Sequence, residues 1–361
     1  MTQHYFIYWS SPMAINLDNI NYKKQDPEGM IELIENFPQM CINARTITNN
    51  FALPSYYIKA KKFLMMGMGG SGAAGDIVCD LLRSKGIVAE SMHDYSIPGW
   101  VDRDTVVIAC SYSGNTEETI AGFLEAREKN AKLICITTGG KLKILANKFS
   151  VPTIHFDLKA QPRAAFPYLF IFIHSIFEKL GHLTLDDSDF SSVMDFIEKN
   201  ILKFKSSTRT AANTAKTLAL QIQNNIPVIY SSGILTQVGQ RMKTQINENS
   251  KQFSFHEVLP ELNHNSILGH FNPKTNIFIV SLESAFDHLR VTKRQNITSE
   301  ILRRDKIKFE RIKFVPNQGE VAEILTMVLF GDFVSYYLAI LNNENPSSIT
   351  NINYLKTELD K

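Results

Sequence analysis

Residues 105–110 read TVVIAC, an unbroken run of β-branched and apolar side chains with polar residues on either side. Such a run reads as a strand buried on both faces, and strands of that kind belong to parallel sheets covered by helices. The nine residues that follow, SYSGNTEET (111–119), carry hydroxyls, a glycine and an amide ahead of two acids. Asn115 or Thr116 suits the N-cap of a helix running from 116 to 129, with Glu117 and Glu118 in its first turn. A second unit has the same plan: strand Lys62–Met66, then GMGGSGAAGD (67–76), running into a helix that ends near Ser84. Strand–loop–helix units of this kind predict an α/β fold.

The loops are the chemical part of the pattern. Ser111, Ser113 and Thr116 converge on a helix N-terminus, where unpaired N–H groups favour an anion, and Gly114 lets the backbone approach closely. A phosphate held by hydroxyls and amides fits this arrangement; an ordinary strand–turn–helix cap fits it too. GMGGSG (67–72) after a strand has the glycine spacing of a dinucleotide site, but it is not that fingerprint in the usual sense, since no acid obviously ends a second strand to hold a ribose. No GxxxxGK[ST] occurs, which argues against nucleotide hydrolysis. Two glycine/serine loops at the carboxyl ends of strands in one sheet can instead face each other and surround one phosphate, with Gly70 and Ser71 contributed by the first loop.

The alternation continues along the chain. Residues 28–60 read as helical, broken near Pro38 and Pro54. Strands are expected at Ile87–Ser91, Leu133–Thr137 and Thr153–Phe156, with a short helix at 141–147 and a long one from Arg163 to Leu180. After a linker at 183–192, a helix over 190–222 leads to strand Pro227–Tyr230, the loop SSG (231–233) and a helix over 235–248. The stretch 252–272 reads as irregular. Strand Asn276–Ser281, a helix near 285–303, strand Lys306–Phe314, a long helix over 319–342 and a short final helix carrying Lys356 complete the chain. The expectation is an N-terminal extension (1–16) and two α/β domains (17–182 and 183–361), each a mainly parallel sheet flanked by helices, with SSG echoing a first-half loop.

Composition narrows the function classes. With 361 residues and 44% hydrophobic content, two domains with sizeable cores are expected. A net charge of +2 without a basic block argues against nucleic acid or an acidic membrane surface as partner. Cys41, Cys79, Cys110 and Cys135 are scattered, which suggests reduced thiols in a cytoplasmic protein and not a disulfide framework or a zinc site. The aromatic N-terminus lacks a basic start and a long aliphatic stretch, so it makes a poor signal peptide. The apolar run Ala164–Ile173 is about half the length needed to span a bilayer. The histidines show no H-E-x-x-H or similar ligand spacing, so neither a metal nor another cofactor is expected.

GMGGSGAAGD and SYSGNTEET resemble the phosphosugar-binding loops of sugar isomerase (SIS) domains. QPRAAF (161–166), NENSK (247–251), PELNHN (260–265) and INYLKTEL (352–359) occur in the order found in bifunctional phosphoglucose/phosphomannose isomerases, and the resemblance runs from about Leu17 to the C-terminus. It implies two SIS domains, an aldose–ketose isomerase acting on a hexose 6-phosphate, and a homodimer in which His264 reaches the partner's site. Carried over residue by residue, Gly70, Ser71, Ser111, Ser113 and Thr116 would hold the phosphate. Glu248 would move the proton between C1 and C2, Arg163 would stabilise the enediolate, and His264 and Lys356 would handle ring opening. Two positions depart from the pattern. Ser266 stands where relatives often carry an acid, and Pro167 where glycine is common.

The chemistry asks for such groups independently. A cyclic sugar must open with an acid and a base, and a carboxylate must then take an acidic α-proton and return it to the neighbouring carbon. One positive group beside the oxyanion lowers that barrier by about 3 kcal/mol. Taken alone, each residue also has a plain structural reading: Glu248 as a solvated acid, Arg163 as a partner to a nearby acid, His264 as a loop cap, Lys356 as a surface lysine. Two other functions use SIS domains. A non-catalytic sugar-phosphate sensor that regulates transcription would carry a helix-turn-helix and a basic surface, and neither is evident. An amino-sugar phosphate enzyme that releases ammonia from glutamine needs a cysteine nucleophile near the N-terminus, and Cys41 sits in no such context.

Overall fold

The run TVVIAC forms the middle strand of a five-stranded parallel sheet, and all six of its residues are buried. The structure, a computed structural model, describes residues 16–271 and 276–359. In chain order its strands are β1 (Lys62–Met66), β2 (Val88–Met92), β3 (Thr105–Cys110), β4 (Lys132–Thr137), β5 (Thr153–His155), β6 (Ile226–Ser231), β7 (Phe255–Val258), β8 (Ile277–Glu283) and β9 (Lys308–Lys313). The α-helices are α1 (Met30–Glu35), α2 (Phe37–Asn49), α3 (Gly69–Ser84), α4 (Glu117–Glu128), α5 (Gly140–Lys148), α6 (Phe166–Lys179), α7 (Asp187–Phe204), α8 (Thr214–Ile222), α9 (Thr236–Ser250), α10 (Leu289–Arg304), α11 (Glu320–Leu341) and α12 (Thr350–Leu359).

The first sheet has the order β2-β1-β3-β4-β5 and the second β7-β6-β8-β9, with every pairing parallel. In both, the strand order reverses between the first strand and the third, β1/β3 and β6/β8. Open α/β sheets bind ligands outside the carboxyl ends of their strands at such a switch point. The two glycine/serine loops follow β1 and β3, so they flank the first switch point.

The edges are built differently from the centre. β9 reads KFERIK and carries a lysine at each exposed end, which discourages further pairing. One hydrophobic core joins the two halves, with α2, α6, α7, α8 and α11 contributing to it. Asp186 caps α7 by accepting a bond from the Asp189 amide at 2.8 Å, and Asn213 caps α8 from the Lys216 amide at 3.0 Å.

Several sequence expectations are corrected here. The helix expected over 190–222 is two helices, because KSSTRTAAN (205–213) breaks it with no proline or glycine to announce the break. The expected linker at 183–192 is largely the start of α7. The break expected near Pro38 falls at Asn36, between α1 and α2, with Pro38 in the first turn of α2. Arg163 lies on a short 3-10 turn, Pro162–Ala165, ahead of α6, and α10 starts at Leu289. The stretch 252–272, expected to be irregular, contains strand β7 and two 3-10 turns. α11 is a longer apolar helix than Ala164–Ile173 and, among the described residues, the one long and apolar enough to cross a bilayer; its apolar window is wholly buried inside the protein. The first fifteen residues of the expected extension lie outside the described residues.

Candidate active site

The two loops meet. The Tyr112 amide donates to Ser71 Oγ at 3.1 Å, tying the loop after β3 to the start of α3. Ser71 and Ser111 are buried, Thr116 is half-buried, and Ser113 is exposed at the mouth. Ser111 Oγ and Thr116 Oγ1 share a hydrogen bond of 2.8 Å, and the Gly114 amide donates to Ser111 Oγ at 3.1 Å. The Asn115 amide donates to Ser113 Oγ at 3.2 Å. Neither helix is capped by a side chain: Met68, the N-cap of α3, offers no oxygen, and the Thr116 hydroxyl is turned to Ser111. The Ser71 amide turns inward to the Met68 carbonyl at 3.0 Å, but the earlier first-turn amides of α3, and those of α4, have no side-chain acceptor from their caps, the condition in which a helix start takes an anion.

Two glycines make the close packing possible. Gly114 has φ +69°, and a Cβ there would lie 1.8 Å from the Gly139 carbonyl oxygen. At Gly70 a Cβ would lie 2.7 Å from Arg163 Cα, so the Arg163 backbone rests directly on the first turn of α3. That contact carries the site from the cradle to its charged residues.

Arg163 is buried, and each nitrogen of its guanidinium makes one hydrogen bond. Nε donates to Asn249 Oδ1 at 2.6 Å, one terminal nitrogen donates to Glu248 Oε2 at 3.1 Å, and the other donates to the Pro346 carbonyl. Burial pushes its pKa below the ordinary guanidinium value, and the adjacent Glu248 carboxylate pushes back. Glu248 remains 27% exposed, so one oxygen is fixed while solvent still reaches the side chain. Behind them, the buried Arg241 donates to both oxygens of Asp332 at 3.0 Å and to the Arg163 carbonyl at 3.1 Å. Gln245 also donates to Asp332, at 2.9 Å. Burial raises the Asp332 pKa, and the Arg241 charge opposes that rise. Lys251 ends α9 in the left-handed region at φ +53°, and its ammonium donates to the carbonyls of Glu248, Asn249 and Asn345. Its side chain reaches the surface, but this seating partly desolvates the ammonium; together with the nearby Arg163 charge, that lowers its pKa to about 8.

Sequence reasoning missed Arg241, Gln245, Asn249 and Lys251. A signal existed, because 241, 245 and 248/249 fall on one face of a helix at i, i+4 and i+7/i+8.

One chain of contacts runs from the loop of Ser111, Ser113 and Thr116 through Tyr112 to Ser71, from neighbouring Gly70 to Arg163, and from Arg163 to Glu248. His264 and Lys356 are not joined to it. His264 is exposed at the end of the turn Glu261–His264, and Lys356 is exposed on α12, which buries none of its described side chains. Among the described residues no hydrogen bond or ion pair links either of them to Arg163 or Glu248. Nor do three His, Cys, Asp or Glu side chains gather among the described residues in a way that could hold a metal.

The second switch point is occupied from within. Ser232 Oγ, in the loop that echoes the first half, donates to both oxygens of Asp287 at 2.9 Å. The Ser284 amide (3.2 Å) and Gln295 Nε2 (2.8 Å) donate to the same carboxylate. The donors that hold an anion in such a loop are thus taken up by the chain's own acid.

Comparison with known proteins agrees with this layout. Residues 56–178 match the SIS domain family, and 211–359 match the bacterial phospho-glucose isomerase C-terminal SIS domain. The chain is 35% identical to a bifunctional phosphoglucose/phosphomannose isomerase of Caldicellulosiruptor bescii, over 91% of this chain and 98% of that one. It is 34% identical to a D-glucosamine-6-phosphate 4-epimerase of Sulfolobus acidocaldarius, over 61% of this chain and 67% of that one. Among solved structures it resembles the tagatose-6-phosphate ketose/aldose isomerase of Escherichia coli, with a TM-score of 0.70 at 14% identity over 93% of this chain and 97% of that one, a likeness of fold. With two parallel SIS-type sheets, the matched C-terminal domain and near-complete coverage of its relative, the chain belongs to the bifunctional phosphoglucose/phosphomannose isomerase family.

Proposed function

We propose that this protein is an aldose–ketose isomerase that interconverts glucose 6-phosphate and fructose 6-phosphate, and also takes mannose 6-phosphate. One observation carries the reading: Arg163 touches the phosphate cradle through its backbone at Gly70 and holds Glu248 through its guanidinium. A phosphate seated at the two helix starts places the sugar carbons beside a positively charged donor and a carboxylate. Glu248 then takes the α-proton and returns it to the neighbouring carbon, while Arg163 stabilises the enediolate oxygen. The division near Leu183 assigns the cradle to the first domain and the base to the second.

His264 and Lys356 serve ring opening, and the protein acts as a homodimer in which His264 completes the partner's site. Their exposure supports this, as does the exposed apolar surface near both: Leu268 in the segment after His264, and Tyr354, Leu355 and Leu359 around Lys356. The four cysteines are free and buried, and burial raises their pKa values, which suits a reducing compartment; we place the protein in the cytoplasm.

Supplied with fructose 6-phosphate, the purified protein should produce glucose 6-phosphate and mannose 6-phosphate, each read by its own coupled assay. Conversion of neither aldose would refute the reading, and turnover confined to glucosamine 6-phosphate would favour the amino-sugar chemistry of the Sulfolobus relative. Ser113→Ala combined with Thr116→Ala removes two hydroxyls from the cradle. A hydrogen bond to a charged group contributes roughly 1.5–3 kcal/mol, so KM for fructose 6-phosphate should rise at least about tenfold. An unchanged KM would place the phosphate elsewhere.

Subunit mixing tests the dimer. In chains exchanged between Glu248→Ala and His264→Ala dimers, about half of the dimers are mixed, and each of those has one intact shared site. Activity should return to roughly a quarter of wild type. With exchange confirmed, no recovery would mean that each site is built from one chain.

A further inference from the structure

We infer that His93 is a positively charged positioning residue for the phosphate loop, an imidazolium clamped between the Gly67 carbonyl and the Asp76 carboxylate. The inference deepens the isomerase reading and rests on it for the identity of the anion. His93 follows β2, whose last residue Met92 pairs with Met66 at the end of β1, so the ring stands beside the start of the loop 67–72. Its Nδ1 lies 2.6 Å from the Gly67 carbonyl oxygen and its Nε2 lies 2.9 Å from Asp76 Oδ1. Both partners are acceptors. A neutral imidazole has one donor and one acceptor nitrogen, so it would set a lone pair against one of these oxygens; only the imidazolium donates to both.

The surroundings fit a fixed clamp. Asp76 Oδ1 also accepts from the Ser91 hydroxyl on β2, which anchors the carboxylate. A Cβ at Gly72 would lie 2.7 Å from His93 Cε1, so the ring packs against the first turn of α3. The charged groups around it are accounted for. Asp76 on α3 is its ion-pair partner, Asp94 beside it accepts from the Tyr95 amide at 2.6 Å, and Glu117 on α4 accepts from the Tyr95 hydroxyl at 3.1 Å. Neither cradle loop (67–76, 111–119) contains lysine or arginine, and the second carries two glutamates. A protonated His93 therefore offsets the charge of Asp76 and holds the first loop rigid by its Gly67 carbonyl, at an anion site whose own loops have no cation.

The pKa of His93 is raised above 6.5, first by its hydrogen bond to Asp76. The protonated form is the one the folded loop holds, so the clamp is complete below the ordinary histidine value and is lost as pH climbs through the raised one.

The test compares wild type, His93→Gln and His93→Arg with fructose 6-phosphate across the range from about pH 6.5 to about pH 9. His93→Gln should raise KM roughly tenfold at the lower pH, on the scale of one charge-assisted hydrogen bond, while kcat changes less than about threefold. The wild-type KM should rise toward high pH, and His93→Arg, which keeps charge and donors, should flatten that rise. A His93→Gln enzyme with wild-type KM, or one that retains the alkaline rise, would overturn the inference. If the wild type does not turn over fructose 6-phosphate, the isomerase reading fails, and calorimetric binding of inorganic phosphate to the same proteins still reads the clamp by the same criteria. If His93→Gln does not fold, titration of the His93 Cε1 proton by NMR in the wild type decides: a raised pKa supports the clamp, and an ordinary or lowered one overturns it.

Discussion

Glu248→Gln should slow isomerisation of fructose 6-phosphate roughly 100- to 10,000-fold, the range for losing a general base. The amide keeps the shape of the side chain and an oxygen for the Arg163 guanidinium, now 3.1 Å from Glu248 Oε2, so the fold and the cradle should survive. Phosphosugar affinity, read by competition with inorganic phosphate, should stay close to wild type. The loss then falls on kcat, as expected of a group that acts on the reacting carbons and not on the phosphate. Turnover within a few-fold of wild type would remove Glu248 from the chemistry and leave it as a structural partner of Arg163.

Arg241→Ala should destabilise the protein by about 3–5 kcal/mol, the cost of leaving a buried charge without its partner. Asp332 sits on the buried helix α11, and Arg241 supplies two of the hydrogen bonds to its carboxylate; afterwards Gln245 alone remains of these donors. Urea unfolding measures the loss. Arg241→Met combined with Asp332→Leu should recover most of it, because no charge is then stranded. Activity should not recover in the double variant, since Arg241 also holds the Arg163 carbonyl at 3.1 Å. A single variant as stable as wild type would mean that water reaches Asp332.

The reach of the sequence differs between the two parts of the site. Thr105–Cys110 and Lys62–Met66 were legible because buried parallel strands are continuously apolar, and the loops after them were legible because glycine and hydroxyl residues there have a specific backbone role. β7 was not, since FHEV is four residues long and keeps Phe255 exposed on a sheet edge. The break between α7 and α8 was missed for a related reason: Asn213 starts the new helix by a side-chain cap amid residues that also suit a helix interior. The Arg163–Glu248 pair joins residues 85 positions apart, and no local pattern encodes such a contact. Resemblance supplied both residues; the structure supplied their meeting, together with the Arg241–Asp332 support behind them. Among the described residues neither His264 nor Lys356 bonds to Glu248 within one chain, and sequence spacing alone gives no distance between them.

Incubation with fructose 6-phosphate in heavy water, followed by NMR of the products, probes the proton transfer itself. Wild-type protein should yield aldose 6-phosphate bearing some solvent deuterium at C2, and Glu248→Gln should form neither the aldose nor the label at a comparable rate. Fructose 6-phosphate left unchanged by the wild type, or exchange and turnover undiminished in Glu248→Gln, would contradict a carboxylate-driven isomerisation at this site.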